Sequence, residues 1–206
     1  MQWVRIARVT DRLEIIETAL ALPGEGSSDF DLHQDLRRVK PSGLRPAAVL
    51  VPLIFRDGQL QVILTKRSSA LKHHPGQIAF PGGKADKGDI SADATALREA
   101  HEEIGLPSNI VQILGQLPPH ETVTGFSVVP VVGLIGEDFD IIAETGEVDE
   151  VFLVPLDHVT NLAKFSQQGR YWQGQMRMYE TVPYGPYYIW GATARMLRAF
   201  AERMPQ

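Results

Sequence analysis

Apolar positions along the chain change period several times, and each change predicts an element. Leu13, Ile16, Ala19 and Leu20 recur at helical spacing up to Pro23, predicting a leading helix over residues 1–22. Residues 23–44, rich in Gly, Ser, Pro and charge, predict a connection with a short helix around Phe30–Leu36. Ala47–Phe55 and Gln61–Lys66 are apolar runs of strand length flanking Asp57-Gly58, a hairpin signal. Gln77–Phe80 predicts a short strand entering a Pro81-Gly82-Gly83 turn, where glycine permits positive φ and close backbone approach. Strands are expected at Val111–Gly115, Ser127–Leu134 and Val151–Val154, and a short helix at Leu156–Ala163. Tyr171–Tyr179 alternates weakly, and Gly191–Arg203 carries Ala194, Leu197, Arg198 and Phe200 in an amphipathic helical pattern. Strands and helices interleave, so the fold class is α/β.

The helix that follows the glycine turn has two unlike faces. Ala96, Leu97, Ala100 and Ile104 form an apolar stripe, with Ser91 as N-cap and Gly105 as C-cap. On the other side Glu99, Glu102 and Glu103 stand at i, i+3 and i+4 and share a face. Like charges at this spacing destabilise a helix by a few tenths of a kcal/mol per pair. A cation that neutralises them removes the penalty, and hard divalent ions, Mg²⁺ above all, prefer oxygen ligands. The histidines show no metal-ligand spacing: His73 and His74 are adjacent, and His101 lies beside the acidic face.

Composition narrows the setting. The chain has 206 residues, 44% hydrophobic and 22% charged, which suits one soluble globular domain. A net charge of −5 gives no general attraction to nucleic acid or anionic membranes, so neither is expected as a partner. Absence of cysteine excludes disulfides, thiol catalysis and zinc-thiolate sites and fits a cytoplasmic location. The longest apolar run, Pro46–Phe55, is about half of the roughly 20 residues that a membrane span needs. Arg37, Arg38, Lys40 and Arg45 form a basic run whose readings are a solvated face or a phosphate contact.

The segment from Gly83 to Leu106 resembles the Nudix box of the Nudix hydrolases, G-x5-E-x7-R-E-U-x-E-E-x-G-U, where U is a bulky aliphatic residue. Gly83 is followed after five residues by Asp89, then after eight by Arg98-Glu99, Glu102-Glu103, Gly105 and Leu106. It departs from the pattern in an Asp for the first Glu, one extra residue before Arg98, and a small Ala100 at the first U. Upstream, Ile63-Leu64-Thr65-Lys66-Arg67-Ser68, Lys72, Gly76 and Phe80-Pro81-Gly82-Gly83 look like the signature of the family's coenzyme A pyrophosphatase branch. Ile63 and Lys72 replace a Leu and an Arg of that signature. Weaker likeness extends to Thr122–Phe126, Pro130–Gly133 and Ile189–Ala194.

The resemblance implies a Nudix α-β-α sandwich, a mixed β-sheet between helices, over residues 45–206, with residues 1–44 packed on it. It implies Mg²⁺ or Mn²⁺ held by Glu99, Glu102 and Glu103, completed by a carbonyl near Gly82 or Gly83. The catalytic set it implies is Glu102 or Glu103, Arg98 and a later-loop glutamate, Glu147 or Glu150. Asp89 is the acid expected to pair with Arg98, and Asp86 competes for that place. Arg67, Lys72, Gly82 and Gly83 are expected at the substrate, a small molecule: coenzyme A or a related nucleotide. The expected reaction is diphosphate hydrolysis to 3′,5′-ADP and 4′-phosphopantetheine or its acylated form. Alternatives are hydrolysis of ADP-ribose or a dinucleotide, and a nucleotide-binding module without catalysis. Trp190, Tyr184, Tyr187 and Tyr188 are read as core or as a stacking surface for adenine. Oligomeric state stays open, a homodimer being one arrangement.

Overall fold

The computed structural model describes residues 2–33, 43–172 and 174–205. Its elements run α1 (Gln2–Ala21), β1 (Ser27–Ser28), β2 (Arg45–Arg56), β3 (Gln59–Arg67), β4 (Ile78–Ala79), β5 (Gly82–Lys84), α2 (Ala92–Ile104), β6 (Val111–Gln116), β7 (His120–Glu121) and β8 (Phe126–Ile135). They continue with β9 (Val148–Pro155), α3 (Leu156–Val159), β10 (Ser166–Trp172), β11 (Gln175–Thr181) and α4 (Ala192–Ala201).

β2 is the spine. It pairs in parallel with β8 along Arg45–Ile54 and antiparallel with β3 along Leu53–Arg56. Asp57 and Gly58, with φ of 54° and 81°, make the left-handed two-residue turn that matches strand twist in a tight hairpin. An interior strand is covered on both faces, which is why its sequence is an unbroken apolar run. Ala48, Leu50 and Ile54 join Ile63, Val131 and Ile135 beneath Ala96, Ala100 and Ile104 of α2. Ala47, Val51 and Leu53 face the other way, onto a cluster that includes Ile16 and Leu20 of α1, Leu156 of α3, and Leu197 and Phe200 of α4. Each fully buried Leu, Ile or Phe contributes about 1.5–3 kcal/mol, so these two clusters hold the three layers together. The mixed sheet between helices is the expected sandwich.

Several local expectations are corrected. Gly82 and Gly83 do not form a turn: they lie in β5, antiparallel to β2 with Ala48 opposite Gly83 and Val49 opposite Gly82. The first half of β2 lies beyond its pairing with β3, and its buried backbone groups need partners. Only glycine fits there, because a Cβ on Gly82 would stand 2.6 Å from the Ala48 carbonyl oxygen. The weakly alternating stretch Tyr171–Tyr179 takes in the end of β10 and most of β11, which form a two-stranded sheet. The helix expected over Leu156–Ala163 breaks into α3 and a separate 3₁₀ turn, Leu162–Lys164. Residues 30–32 form turns; the rest of the expected Phe30–Leu36 helix, and Arg37, Arg38 and Lys40, lie outside the described residues apart from His33.

Candidate functional site

Helix α2 presents the acidic face. Ser91 caps its N-terminus by accepting from the Ala94 N–H, and Gly105, at φ 70°, closes its C-terminus with bonds to Ala100 and His101 carbonyls. Ala96, Ala100 and Ile104 are fully buried, so the opposite side is held fixed against the face of the sheet.

Arg98 organises the loop and the carboxylates. Its Nε donates to Asp89 Oδ1 at 3.1 Å and its Nη2 to Asp89 Oδ2 at 2.9 Å, a two-pronged pair. Nη1 donates to Glu99 Oε1 and to Glu102 Oε2, both at 3.0 Å, and Nη2 also reaches the Lys84 carbonyl at 3.2 Å. Asp89 further accepts from the Thr95 hydroxyl and the Asp86 N–H. Of the two loop acids it is Asp89 that holds Arg98, while Asp86 contributes backbone. Arg98, followed by the Asp86 N–H, holds the Asp89 carboxyl well below the usual carboxylate range, and Asp89 in turn raises Arg98.

Glu103 is the buried member, 4% exposed. Burial pushes its carboxyl up to about 8; Glu147 and Glu99 add to the rise, while Arg67 and the Gly82 N–H oppose it. That N–H is 3.4 Å from Oε2, a long bond. Glu99 is also raised, first by burial, with Arg98 offsetting and Glu102 and Glu147 reinforcing. Glu102 is exposed. Gly83 is a cradle: a Cβ there would stand 2.6 Å from the Glu99 carboxylate.

The acidic loop is tied to the end of α2. Ile142 N–H donates to the Ile104 carbonyl at 3.1 Å and Glu144 N–H to the Glu103 carbonyl at 2.9 Å. Glu147, exposed, is thereby near enough to raise both Glu99 and Glu103. Glu150 is not brought to the cluster. Along β9, Val151 and Leu153 face α2 while Phe152 and Val154 face the opposite layer, which puts Glu150 on the far side. There it accepts the Tyr187 hydroxyl at 2.5 Å, and the Tyr187 ring stacks on Phe152 at 3.5 Å.

Arg67 ends β3 where the register with β9 slips, and its N–H and carbonyl bond to Gln77 and Gly76. Lys72 is exposed on the following loop, and among the described residues no hydrogen bond or ion pair ties it to the cluster. Of the basic run before β2, Arg45 stacks over Phe126 at 3.9 Å and donates to the Thr124 carbonyl.

Among the described residues no three carboxylate or imidazole side chains converge as a ready-made ion cage. The reason is Arg98, whose guanidinium draws Glu99 and Glu102 to itself while Glu103 turns toward Gly82. The donors still fit a hard divalent ion: they are all oxygen, Gly83 leaves room beside Glu99, and Glu103 is buried with one long N–H contact.

A second polar cluster was not foreseen. His120, wholly buried, meets Ser27 Oγ at 2.8 Å through Nδ1 and Asp29 Oδ1 at 3.1 Å through Nε2. Asp29 Oδ2 also accepts the Val123 N–H at 2.8 Å. With His120 wholly buried and Ser27 7% exposed, this trio pins β1 to β7. Its members lie about 90 residues apart in sequence, so no local spacing announces it.

Residues 44–173, more than half of the chain, match the model of the NUDIX domain. The chain belongs to the Nudix hydrolase family. A protein of Enterobacter sp. (strain 638) called "Uncharacterized Nudix hydrolase NudL" is 45% identical over 157 residues, 76% of this chain and 81% of the relative. One of the same name from Escherichia coli (strain K12) is 43% identical over 157 residues, with the same coverage of each. Among solved structures, a binary complex of a Caenorhabditis elegans Ap4A hydrolase aligns over 54% of this chain and 80% of its own, at 20% identity and a TM-score of 0.46. The protein is an enzyme of the pyrophosphohydrolase class acting on a nucleoside diphosphate derivative, and enzymes of this family generally use divalent metal ions.

Proposed function

We propose that the protein hydrolyses the diphosphate of coenzyme A or its thioesters in the cytoplasm, with Mg²⁺ or Mn²⁺, releasing 3′,5′-ADP and 4′-phosphopantetheine or its acylated form. One observation carries the reading. Arg67 and Gly82, drawn from the two ends of the segment 63–83, both act on buried Glu103, so the branch-like motif and the acidic helix face meet at one carboxylate. Glu99, Glu102 and Glu103 would hold the ion, with a carbonyl near Gly82 or Gly83. When bound, the ion neutralises diphosphate oxygens and acidifies a coordinated water.

The remaining roles belong to the chain. Arg98 is a positioning residue: it fixes the loop through Asp89 and sets the directions of Glu99 and Glu102. Gly83 keeps the space beside Glu99 open for a phosphate. Arg67 faces the substrate's negative charge, and exposed Lys72 supplies a looser cation on the same loop. Glu147 is exposed beside the cluster and accepts the proton of the attacking water, with Glu102 or Glu103 as the other general bases. Net, water adds to one phosphorus, the anhydride oxygen leaves on the other, and one P–O bond is exchanged for another.

The test is a panel of coenzyme A, acetyl-coenzyme A, dephospho-coenzyme A, ADP-ribose and NADH, each with Mg²⁺ or Mn²⁺ and product analysis. Highest kcat/KM on coenzyme A or its thioester is expected. Preference for ADP-ribose would discard the substrate assignment and spare the hydrolase.

A further inference from the structure

The hairpin β10–β11 carries an arrangement that the diphosphate site leaves unexplained. Its register sets Arg170 directly opposite Arg177, so both guanidinium stems rise from one face of a two-stranded sheet. Two cations placed side by side on one face form a local positive patch. Among the described residues, the buried Arg177 Nε has no hydrogen-bond partner. Tyr179 shares the face, and its ring meets Trp190 edge-on at 5.1 Å. Arg170 lies over Trp190 at 5.7 Å, while Tyr188, 45% exposed, shares a hydroxyl contact with Tyr179 at 3.2 Å. Two cations beside a partly open aromatic shelf are complementary to a ligand that joins a flat ring to a phosphate monoester.

The cluster is stitched to the end of β3 that carries Arg67. Trp190 bridges Thr181 of β11, and Gly191 lies against the Gln77 side chain, whose backbone carbonyl accepts the Arg67 N–H. Tyr187, three residues before Trp190, is bonded to Glu150, opposite Lys66 in the register of β3 with β9. Gln77 thus joins Arg67 and the shelf at one end of the sheet.

We infer that Arg170 and Arg177, with Trp190 and Tyr188, form a subsite for the 3′-phosphorylated adenosine end of the substrate, the arginines on the phosphate and the rings against the base. This rests on the coenzyme A reading above. It assigns the choice between coenzyme A and dephospho-coenzyme A to the hairpin, not to the diphosphate site.

The experiment compares wild type, Arg177→Gln, Arg170→Gln and the double variant on coenzyme A and dephospho-coenzyme A with Mn²⁺. The double variant should lower kcat/KM on coenzyme A by about tenfold or more, mainly through KM, and leave dephospho-coenzyme A within about twofold. Thermal melts of each variant separate a folding defect from a loss of phosphate recognition. If Arg177→Gln melts early, exposed Arg170→Gln still decides. Equal losses on both substrates, or no loss on coenzyme A, overturn the subsite while the hydrolase reading stands. If wild type does not cleave coenzyme A, that reading falls, and calorimetric titration with adenosine 3′,5′-bisphosphate judges the subsite alone. Saturable binding weakened in Arg177→Gln or Trp190→Ala upholds it; absence of binding overturns it.

Discussion

Replacing Glu103 by Gln should make the metal-free protein more stable at alkaline pH while removing its hydrolytic activity. The carboxyl is 4% exposed and is pushed up to about 8 from an ordinary 4.5, chiefly by burial. Between those values the folded state holds a proton that the unfolded chain has released. Stability from this group is therefore complete below about pH 4.5 and lost as pH rises through about 8. At 1.36 kcal/mol per unit, a rise of between three and four units corresponds to on the order of 4 kcal/mol at pH 9. For a domain of this size that is a difference of roughly 8–16 °C in melting temperature. The assay is thermal denaturation in EDTA from about pH 5 to pH 9. Wild type should lose stability along the series and Glu103→Gln should not, while Mn²⁺ at pH 8 should raise the wild-type melt far more than the variant's. Parallel pH curves for the two proteins would refute the assignment of a strained buried carboxylate.

Three further outcomes follow from named contacts. Arg98→Lys keeps the charge but loses the fork that holds Asp89, Glu99 and Glu102, so turnover should fall about a hundredfold and Tm by roughly 3–6 °C, read by steady-state kinetics and calorimetry. Gly83→Ala places a methyl where the Glu99 carboxylate lies, so kcat should drop at least about tenfold with Tm within about 2 °C of wild type, since a side-chain end can move aside. His120→Ala leaves Ser27 and Asp29 without their buried partner and should cost about 2–4 kcal/mol in urea unfolding, with activity per folded molecule unchanged at low temperature.

Sequence periodicity was enough for the long elements. α1, the β2–β3 hairpin, α2 with both caps, β8 and α4 follow from patterns that repeat within a dozen or so residues, where backbone geometry alone sets which side chains share a face. The three glutamates of α2 were legible for the same reason. Three of the short strands were not. β1, β5 and β7 are two or three residues each, and they exist because partners far along the chain present unpaired backbone groups. The turn expected at Gly82-Gly83 fails on that point: flexibility is written in the residue type, but which backbone it passes is not.

What the linear order of residues determined is the inventory: an acidic helix face with an apolar back, a glycine pair ahead of it, cations at the end of a core strand, and no thiol chemistry. Local spacing suffices for these because each depends on neighbours within one or two turns. What only the tertiary structure decided is how those groups are shared. Arg98 claims Glu99 and Glu102, Glu103 sinks beneath Gly82, Glu147 is delivered to the cluster while Glu150 is turned to Tyr187, and two arginines of one hairpin are set side by side. Charge and hydrogen bonding act through a few ångströms of space whatever the separation along the chain, so these pairings exist only once the sheet has brought distant segments together.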